Sequence, residues 1–210
     1  MKLKTYWIIA LLTLFTAAFT VPLRAAPGEV PRIIFNGIGD KANNAIVNTT
    51  TETSIWPTGT GTNLIRANYW AAGGLLSFDM AGGVQFGTSG TLTLKVKLGE
   101  NVIITSGAIT PSIASQTNKS WRFTGNIKAD SVGASGTFVK DAVLTLGDSH
   151  TNRVFLLDGQ GQYSASTNLT VGTTTNLTFD VTATWSVATV SSGTLTNAIV
   201  THRATLRHTR

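Results

Sequence analysis

The most constraining feature of the sequence is a stretch of strict alternation followed directly by a tight turn. Residues 92–98 alternate leucine or valine with threonine or lysine. Successive side chains of a strand point to opposite faces, so this pattern predicts one buried face and one solvated face. Gly99-Glu100 fits a two-residue turn with glycine first, and residues 102–105 supply a returning strand. The stretch predicts a β-hairpin, which organises a fold but carries no chemistry.

The same period of two recurs along the chain after residue 44. Trp121, Phe123 and Ile127 share one face of a predicted strand, and alternate residues are apolar from Leu177 to Val187. About ten short strands at this spacing are typical of a sandwich or barrel. The sequence predicts an all-β, jelly-roll-like antiparallel β-sandwich, a single domain after an N-terminal signal helix. The predicted strands cover residues 45–56, 64–70, 75–80, 92–98, 102–105, 120–128, 137–146, 153–157, 177–187 and 195–206.

Composition favours a protein that works outside the cell. Only 12% of the residues are charged, about half of the usual share of roughly 25%. Threonine, glycine, serine and asparagine take their place, and threonine favours strands. There is no cysteine, so the fold must depend on its core or on subunit contacts rather than on disulfides.

Residues 1–26 predict a secretory signal peptide. Lys2 and Lys4 precede an uncharged apolar run, and small residues come just before Pro27. We expect the mature chain to begin at residues 25–29, and the protein to be secreted, displayed at the cell surface or part of a virion. Between Lys4 and Arg24 lie 19 uncharged residues, which is just enough to span a bilayer. An uncleaved membrane anchor is therefore the alternative, and only in that case is a membrane a partner.

The positive charge does not indicate a nucleic-acid partner. The net charge is +6, and removing the three basic residues of the leader from 16 leaves 13 against 10 acidic residues, or +3. Three of those 13 are Arg203, Arg207 and Arg210 in the final eight residues. A nucleic-acid surface needs a clustered basic face, so we interpret this short basic tail as a solvated terminus.

Residues 27–43 predict an extended arm in front of a sandwich domain that covers 44–210. Pro27 and Pro31 favour extended backbone, and Ile33, Ile34 and Phe35 form a short apolar patch. This patch either packs on its own domain or adds a strand to a neighbouring subunit as a subunit-contact arm. Because the β pattern starts near Ile46, a chain shortened to 44–210 is expected to keep the fold.

The sequence contains no convincing constellation for catalysis, metal binding or a cofactor. The block at 147–150 (Gly-Asp-Ser-His) looks like that of some esterases, but no later Asp-x-x-His supplies a base. The nucleophile elbow and the phosphate-binding glycine loop do not occur. Structural zinc needs four cysteine or histidine ligands, and the ten acidic residues lie scattered. We therefore expect a protein that is not an enzyme.

Four aromatic residues are candidate ligand contacts, because aromatic rings stack on sugars. Trp121 and Trp185 lie on apolar faces and are predicted to belong to the core. The candidate contacts that remain are Trp56, Trp70, Tyr69 and Tyr163.

Several segments resemble a family of small phage virion structural proteins of tail-fibre or head-fibre type. The similar segments are residues 46–53 (IVNTTTET), 90–110 with TLTLKVKLG and SGAIT, 121 onward with GASGT, and 180–197 with DVTATW. Together they cover about residues 44–200 in the right order. The leader, the arm and the tail at 203–210 are additional to the family, which favours an exported relative.

The resemblance implies a non-enzymatic structural or surface subunit that self-associates, as a homotrimer, through its sandwich faces. It brings no catalytic residues. Two alternatives remain open. The first is a secreted carbohydrate-binding or adhesion module that recognises cell-surface glycans. The second is an exported fibre subunit that donates its N-terminal strand.

Overall fold

The alternating segments of the sequence form the strands of two antiparallel sheets. The computed structural model describes residues 32–38, 46–47, 49–111, 116–147, 152–157, 169–188 and 196–209, which belong to one unit, Pro31–Arg210. The strands in these ranges are β1 (Arg32–Ile38), β2 (Ile46–Val47), β3 (Thr53–Ser54), β4 (Thr60–Gly61), β5 (Leu64–Ile65), β6 (Leu75–Phe86), β7 (Leu92–Leu98), β8 (Asn101–Thr105), β9 (Gln116–Ala129), β10 (Gly136–Gly147), β11 (Asn152–Leu157), β12 (Leu169–Val171), β13 (Leu177–Trp185) and β14 (Ala198–Thr209).

A large sheet and a small sheet make up this unit. The large sheet has the order β11-β10-β9-β6-β14-β1-β4, with β12 beside β10 and β2 beside β14. The small sheet has the order β3-β13-β7-β8, with β5 also beside β13. The inward faces of both sheets supply one hydrophobic core. The prediction of an all-β, jelly-roll-like antiparallel sandwich is confirmed for the described residues, which contain no helix.

The strands with the clearest alternation lie where the sequence predicts them. β7 and β8 form the hairpin, and Gly99 takes the positive φ that its turn requires (58°). Trp121, Phe123 and Ile127 are buried on one face of β9. β13 is buried at each predicted apolar position up to Trp185, but Val187 lies beyond its end and is exposed.

The prediction of one strand over 45–56 is wrong, and so is that of a strand over 64–70. Ile46 pairs with β14 in the large sheet, whereas Thr53-Ser54 pairs with β13 in the small sheet. The chain therefore crosses from one sheet to the other within the segment that the threonine-rich pattern suggested was continuous. The strand that begins at Leu64 ends at Ile65, because a turn follows at residues 66–69.

Residues 32–38 are an internal strand of the large sheet rather than an appended arm. β1 pairs with β14 from Arg32↔His208 to Ile38↔Arg203 and with β4 on its other side. Phe35 is buried, while Ile33 remains half exposed. The apolar patch thus packs within its own chain, in a sheet that also contains the strands after residue 44. The remainder of the predicted arm lies outside the described residues, as does the signal peptide.

The basic tail is not a solvated terminus, since residues 198–209 form β14 in the middle of the large sheet. Ala204, Leu206 and His208 point into the core, and Arg203 and Arg207 point outward. The alternation of buried and exposed residues explains how a segment rich in arginine occupies a central strand. Arg210 lies outside the described residues.

Among the described residues, no helix is long and apolar enough to cross a membrane.

Candidate functional site

A cleft of about 600 Å³ lies between the edge of the large sheet and β5 of the small sheet. Arg32, Ile33 and Ile34 of β1 form one wall, with Gly61 and Thr62 beside them. The other wall contains the chain that enters and leaves β5. Its lining side chains are those of Leu64, Ile65, Arg66 and Tyr69.

A glycine allows the first wall to form. Gly61 has a positive φ (97°), and a Cβ at this position would collide with the carbonyl oxygen of Ile34. The close approach lets the Thr62 amide donate a hydrogen bond to that same carbonyl (2.9 Å). The chain after β4 is thereby held against β1, and both border the cleft.

A tight turn places Arg66 and Tyr69 together on the second wall. The Tyr69 amide donates to the Arg66 carbonyl (3.1 Å), and Asn68 between them adopts the left-handed conformation (φ 57°), which asparagine tolerates well. Two bonds anchor the turn: the Ala67 amide donates to Asn176 Oδ1 (2.9 Å), and the Asn68 amide donates to the Thr173 carbonyl (2.8 Å).

The Tyr69 ring is supported from behind by buried aromatic rings. It packs on His208 of β14 with ring centroids 4.6 Å apart, and Trp70 packs edge-on against His208 (5.5 Å) and Phe138 (5.1 Å). Such packing fixes a half-buried ring in one orientation. The cleft wall is therefore built on the core.

The four aromatic residues selected from the sequence do not share one surface. Tyr69 lines the cleft. Trp70 is only 4% exposed, so its interpretation as a surface platform is wrong: its ring fills the core. Trp56 is half-buried between Phe35 (4.9 Å) and Phe179 (5.0 Å), so it bridges the two sheets. Tyr163 lies outside the described residues.

The apolar residues selected as a subunit-contact arm divide in a similar way. Ile33 and Ile34 line the cleft, and Phe35 belongs to the core. Sequence reasoning did not select Arg32, Leu64 or Arg66. The cleft joins residues 32–34 to residues 61–69, and only the pairing of β1 with β4 brings these segments together.

A second polar cluster lies where the 49–54 segment meets the small sheet. The Glu52 carboxylate accepts hydrogen bonds from Lys95 Nζ (2.6 Å), Lys97 Nζ (3.3 Å) and Thr182 Oγ1 (3.0 Å). Next to it, Ser54 Oγ donates to Asp180 Oδ1 (2.6 Å). These contacts connect β3, β7 and β13 and hold the crossover segment against the sheet, so the cluster works as a structural latch.

The surroundings shift the pKa values of the two carboxylates in this latch, Glu52 and Asp180, in opposite directions. The hydrogen bond from Lys95 lowers the pKa of Glu52, helped by Thr182 and Lys97 and opposed by burial. Burial raises the pKa of Asp180 and outweighs its bond from Ser54. Ionised Glu52 therefore stabilises the native state at neutral pH, whereas ionised Asp180 opposes folding.

We expect Glu52→Gln to lower the free energy of unfolding at pH 7 by about 1–2 kcal/mol, because two lysines lose their counter-charge. The loss should shrink as the pH falls below 4.5, the ordinary pKa of this group, and passes the lowered pKa that Glu52 has in the native state, since Glu52 then becomes protonated in the wild type as well. Asp180→Asn should be neutral or stabilising at pH 7. Urea unfolding at pH 7 and pH 3 measures both effects.

The matched control is Glu100→Gln, which changes the same group at an exposed turn position and should shift the free energy of unfolding by less than about 0.5 kcal/mol. A loss for Glu52→Gln that stayed constant with pH would show that the carboxylate charge is not what stabilises the latch.

The other sequence candidates give no site. Asp148, Ser149 and His150 of the esterase-like block lie outside the described residues. Within the ranges that the structure describes, no group of three histidine, aspartate or glutamate side chains is arranged to hold a metal ion.

No family model, characterised protein or solved structure shows significant similarity to this chain.

Proposed function

We propose that the protein is a non-enzymatic subunit of an extracellular or virion-like assembly that self-associates through its large sheet. The observation that carries this proposal is the exposed, apolar edge of that sheet. β11 is the last strand in the sheet order, and no described strand pairs with its outer edge. An unpaired strand edge is a template for another strand.

Exposed apolar side chains lie on the outer face beside this edge. Leu156 is 73% exposed and Val154 is 59% exposed, and Leu156 lies directly across from Val143 of β10. Val139 lies on the same face of β10 and is also exposed. We call these four residues the β11 patch. The exposed Asp141 separates Val139 from the other three residues, so the grouped apolar surface is that of Val143, Val154 and Leu156, and grouped apolar surface typically marks an interaction site.

The outer face over β6, β9 and β14 is polar, and a charged network lies at its centre. Arg122 donates two hydrogen bonds to the Asp79 carboxylate, from Nε to Oδ1 (3.0 Å) and from Nη2 to Oδ2 (2.9 Å). Arg203 approaches the same carboxylate to 3.7 Å. Because this network of charged groups crosses β6, β9 and β14 and would have to be desolvated at an interface, the β11 patch is the part of this face better suited to association.

A second copy of the chain fits this edge. Antiparallel pairing of β11 with itself across a two-fold axis places the same residues opposite one another. Asn152, Val154 and Leu156, which point outward, are uncharged, so on the outer face the pairing brings no like charges together and buries apolar side chains of both subunits. The resemblance of residues 44–200 to phage fibre subunits is the separate sequence argument for a virion-like setting; the two-fold contact gives a dimer, in place of the trimer that the resemblance implies.

Leu156→Glu tests the proposal. Burying a leucine contributes about 1.5–3 kcal/mol, and the contact occurs on both subunits, so the dissociation constant should rise at least about a hundredfold. Native mass spectrometry and light scattering at tens of micromolar measure the change. Val132→Glu, at an exposed valine in the β9–β10 turn, should leave association intact. A wild-type monomer at these concentrations, or equal effects of the two changes, would contradict the proposal.

A further inference from the structure

We propose that the cleft between β1 and β5 binds an organic acid, with its carboxylate held by Arg32 and Arg66 and its apolar body resting on Ile33 and Leu64. This goes beyond self-association, which uses the opposite edge of the large sheet.

The positive charge of the cleft is complementary to an anion. Of the nine described residues that line it, two are arginines and none is acidic. Neither Arg32 nor Arg66 forms an ion pair with any described residue, whereas Arg122, Arg203, Lys95 and Lys97 all do. A guanidinium group presents a planar fork of donors that matches a carboxylate.

The other lining residues are mostly aliphatic, which favours an anion that also has an apolar part. Four of the lining side chains are aliphatic: Ile33, Ile34, Leu64 and Ile65. Ile33 is 52% exposed and Leu64 is 39% exposed, so each retains apolar surface that a ligand would remove from water. Sugar sites instead rely on aromatic platforms and many hydrogen-bonding side chains, and among the described lining residues Tyr69 alone is aromatic.

The cleft is already formed and has a suitable size. Its volume of about 600 Å³ lies within the range of about 300–1,000 Å³ that small-molecule sites occupy. The bond from Thr62 to Ile34 fixes one wall, and the packing of Tyr69 on His208 fixes the other. Binding therefore requires little ordering of the protein, which favours affinity.

Calorimetric titration of the mature chain with four probes tests the ligand class. We expect octanoate to bind saturably and at least about tenfold more tightly than acetate, because the added methylene groups become buried. Octylammonium, with the same chain and the opposite charge, should bind at least tenfold more weakly than octanoate. Galacturonate tests an acidic sugar. Tighter binding of galacturonate, equal binding of octylammonium, or no saturable binding of octanoate would each overturn the proposal.

Variants that each remove one positive charge test where on the protein octanoate binds. Arg32→Gln and Arg66→Gln should each weaken octanoate binding about tenfold or more, with circular dichroism unchanged. Lys128→Gln removes the same charge on the exposed side of β9 and should leave the affinity unchanged. Equal affinity in the arginine and lysine variants would place the acid elsewhere. Leu156→Glu should retain octanoate binding, which separates failure of this proposal from failure of self-association.

Discussion

Trp185→Asp is expected to prevent the protein from folding. Trp185 is fully buried at the end of β13, where it pairs with Leu92 and packs edge-on against Phe86 at 5.6 Å between ring centroids. The change removes a large apolar side chain and buries an unpaired charge, which together cost about 5 kcal/mol or more. This loss is comparable with the whole stability of a domain, about 5–15 kcal/mol. Far-ultraviolet circular dichroism and the yield of soluble protein report the result.

Thr184→Asp is the matched control for this change. Thr184 is the preceding residue of β13, lies opposite Thr93 and points toward the outer face of the small sheet. Aspartate there loses strand propensity of at most about 1 kcal/mol, so the protein should remain folded. Equal tolerance of the two substitutions would mean that the inward face of β13 is assigned incorrectly.

A chain shortened to residues 44–210 is expected to lose cooperative folding, in contrast to the expectation from the sequence. The deletion removes β1, which pairs with β14 along residues 203–208 and separates it from β4. It also removes Phe35, which packs against Trp56 in the core. Losing a buried phenylalanine alone costs about 3–5 kcal/mol, and the deletion in addition leaves one side of β14 unpaired over these residues.

Thermal unfolding, monitored by near-ultraviolet circular dichroism, distinguishes the outcomes. A chain of residues 27–210 retains β1 and should unfold in a single cooperative transition, whereas the 44–210 chain should show none. Phe35→Ala in the longer chain should lower the transition temperature without abolishing it. A cooperative transition of the 44–210 chain would show that β1 is dispensable, as the sequence pattern suggested.

Predictions from the sequence succeeded where the signal is local. In β9 and β13 the alternation of apolar and polar residues continues for a whole strand, so each strand specifies its own inward face. The glycine at position 99 likewise indicates the hairpin turn without reference to the rest of the chain. In these segments the local pattern and the tertiary structure agree.

The sheet crossover, the cleft and the Glu52 cluster depend on strand pairings between distant segments, which no local sequence pattern specifies. Residues 46–54 are rich in β-branched residues, but β2 and β3 belong to different sheets. The neighbouring strands decide where the chain crosses over. The same holds for the cleft, because Arg32 and Arg66 come to line one cleft only through the packing of β1, β4 and β5. Glu52 meets Lys95 and Thr182 only through the register of β7 with β13.

The position of β14 also has a consequence for the kinetics of folding. This strand separates β6 from β1 and β2, so Arg32 pairs with His208 and Leu75 with Thr209. Folding rates fall as contacts join residues that are more distant in sequence, because loop closure must precede the contacts that stabilise it. The hairpin of β7 and β8 can form early, whereas the large sheet stays divided until residues 198–209 insert between its two halves. Refolding should therefore be slow, and the edges of β6 and β1 stay open to intermolecular pairing until that insertion occurs.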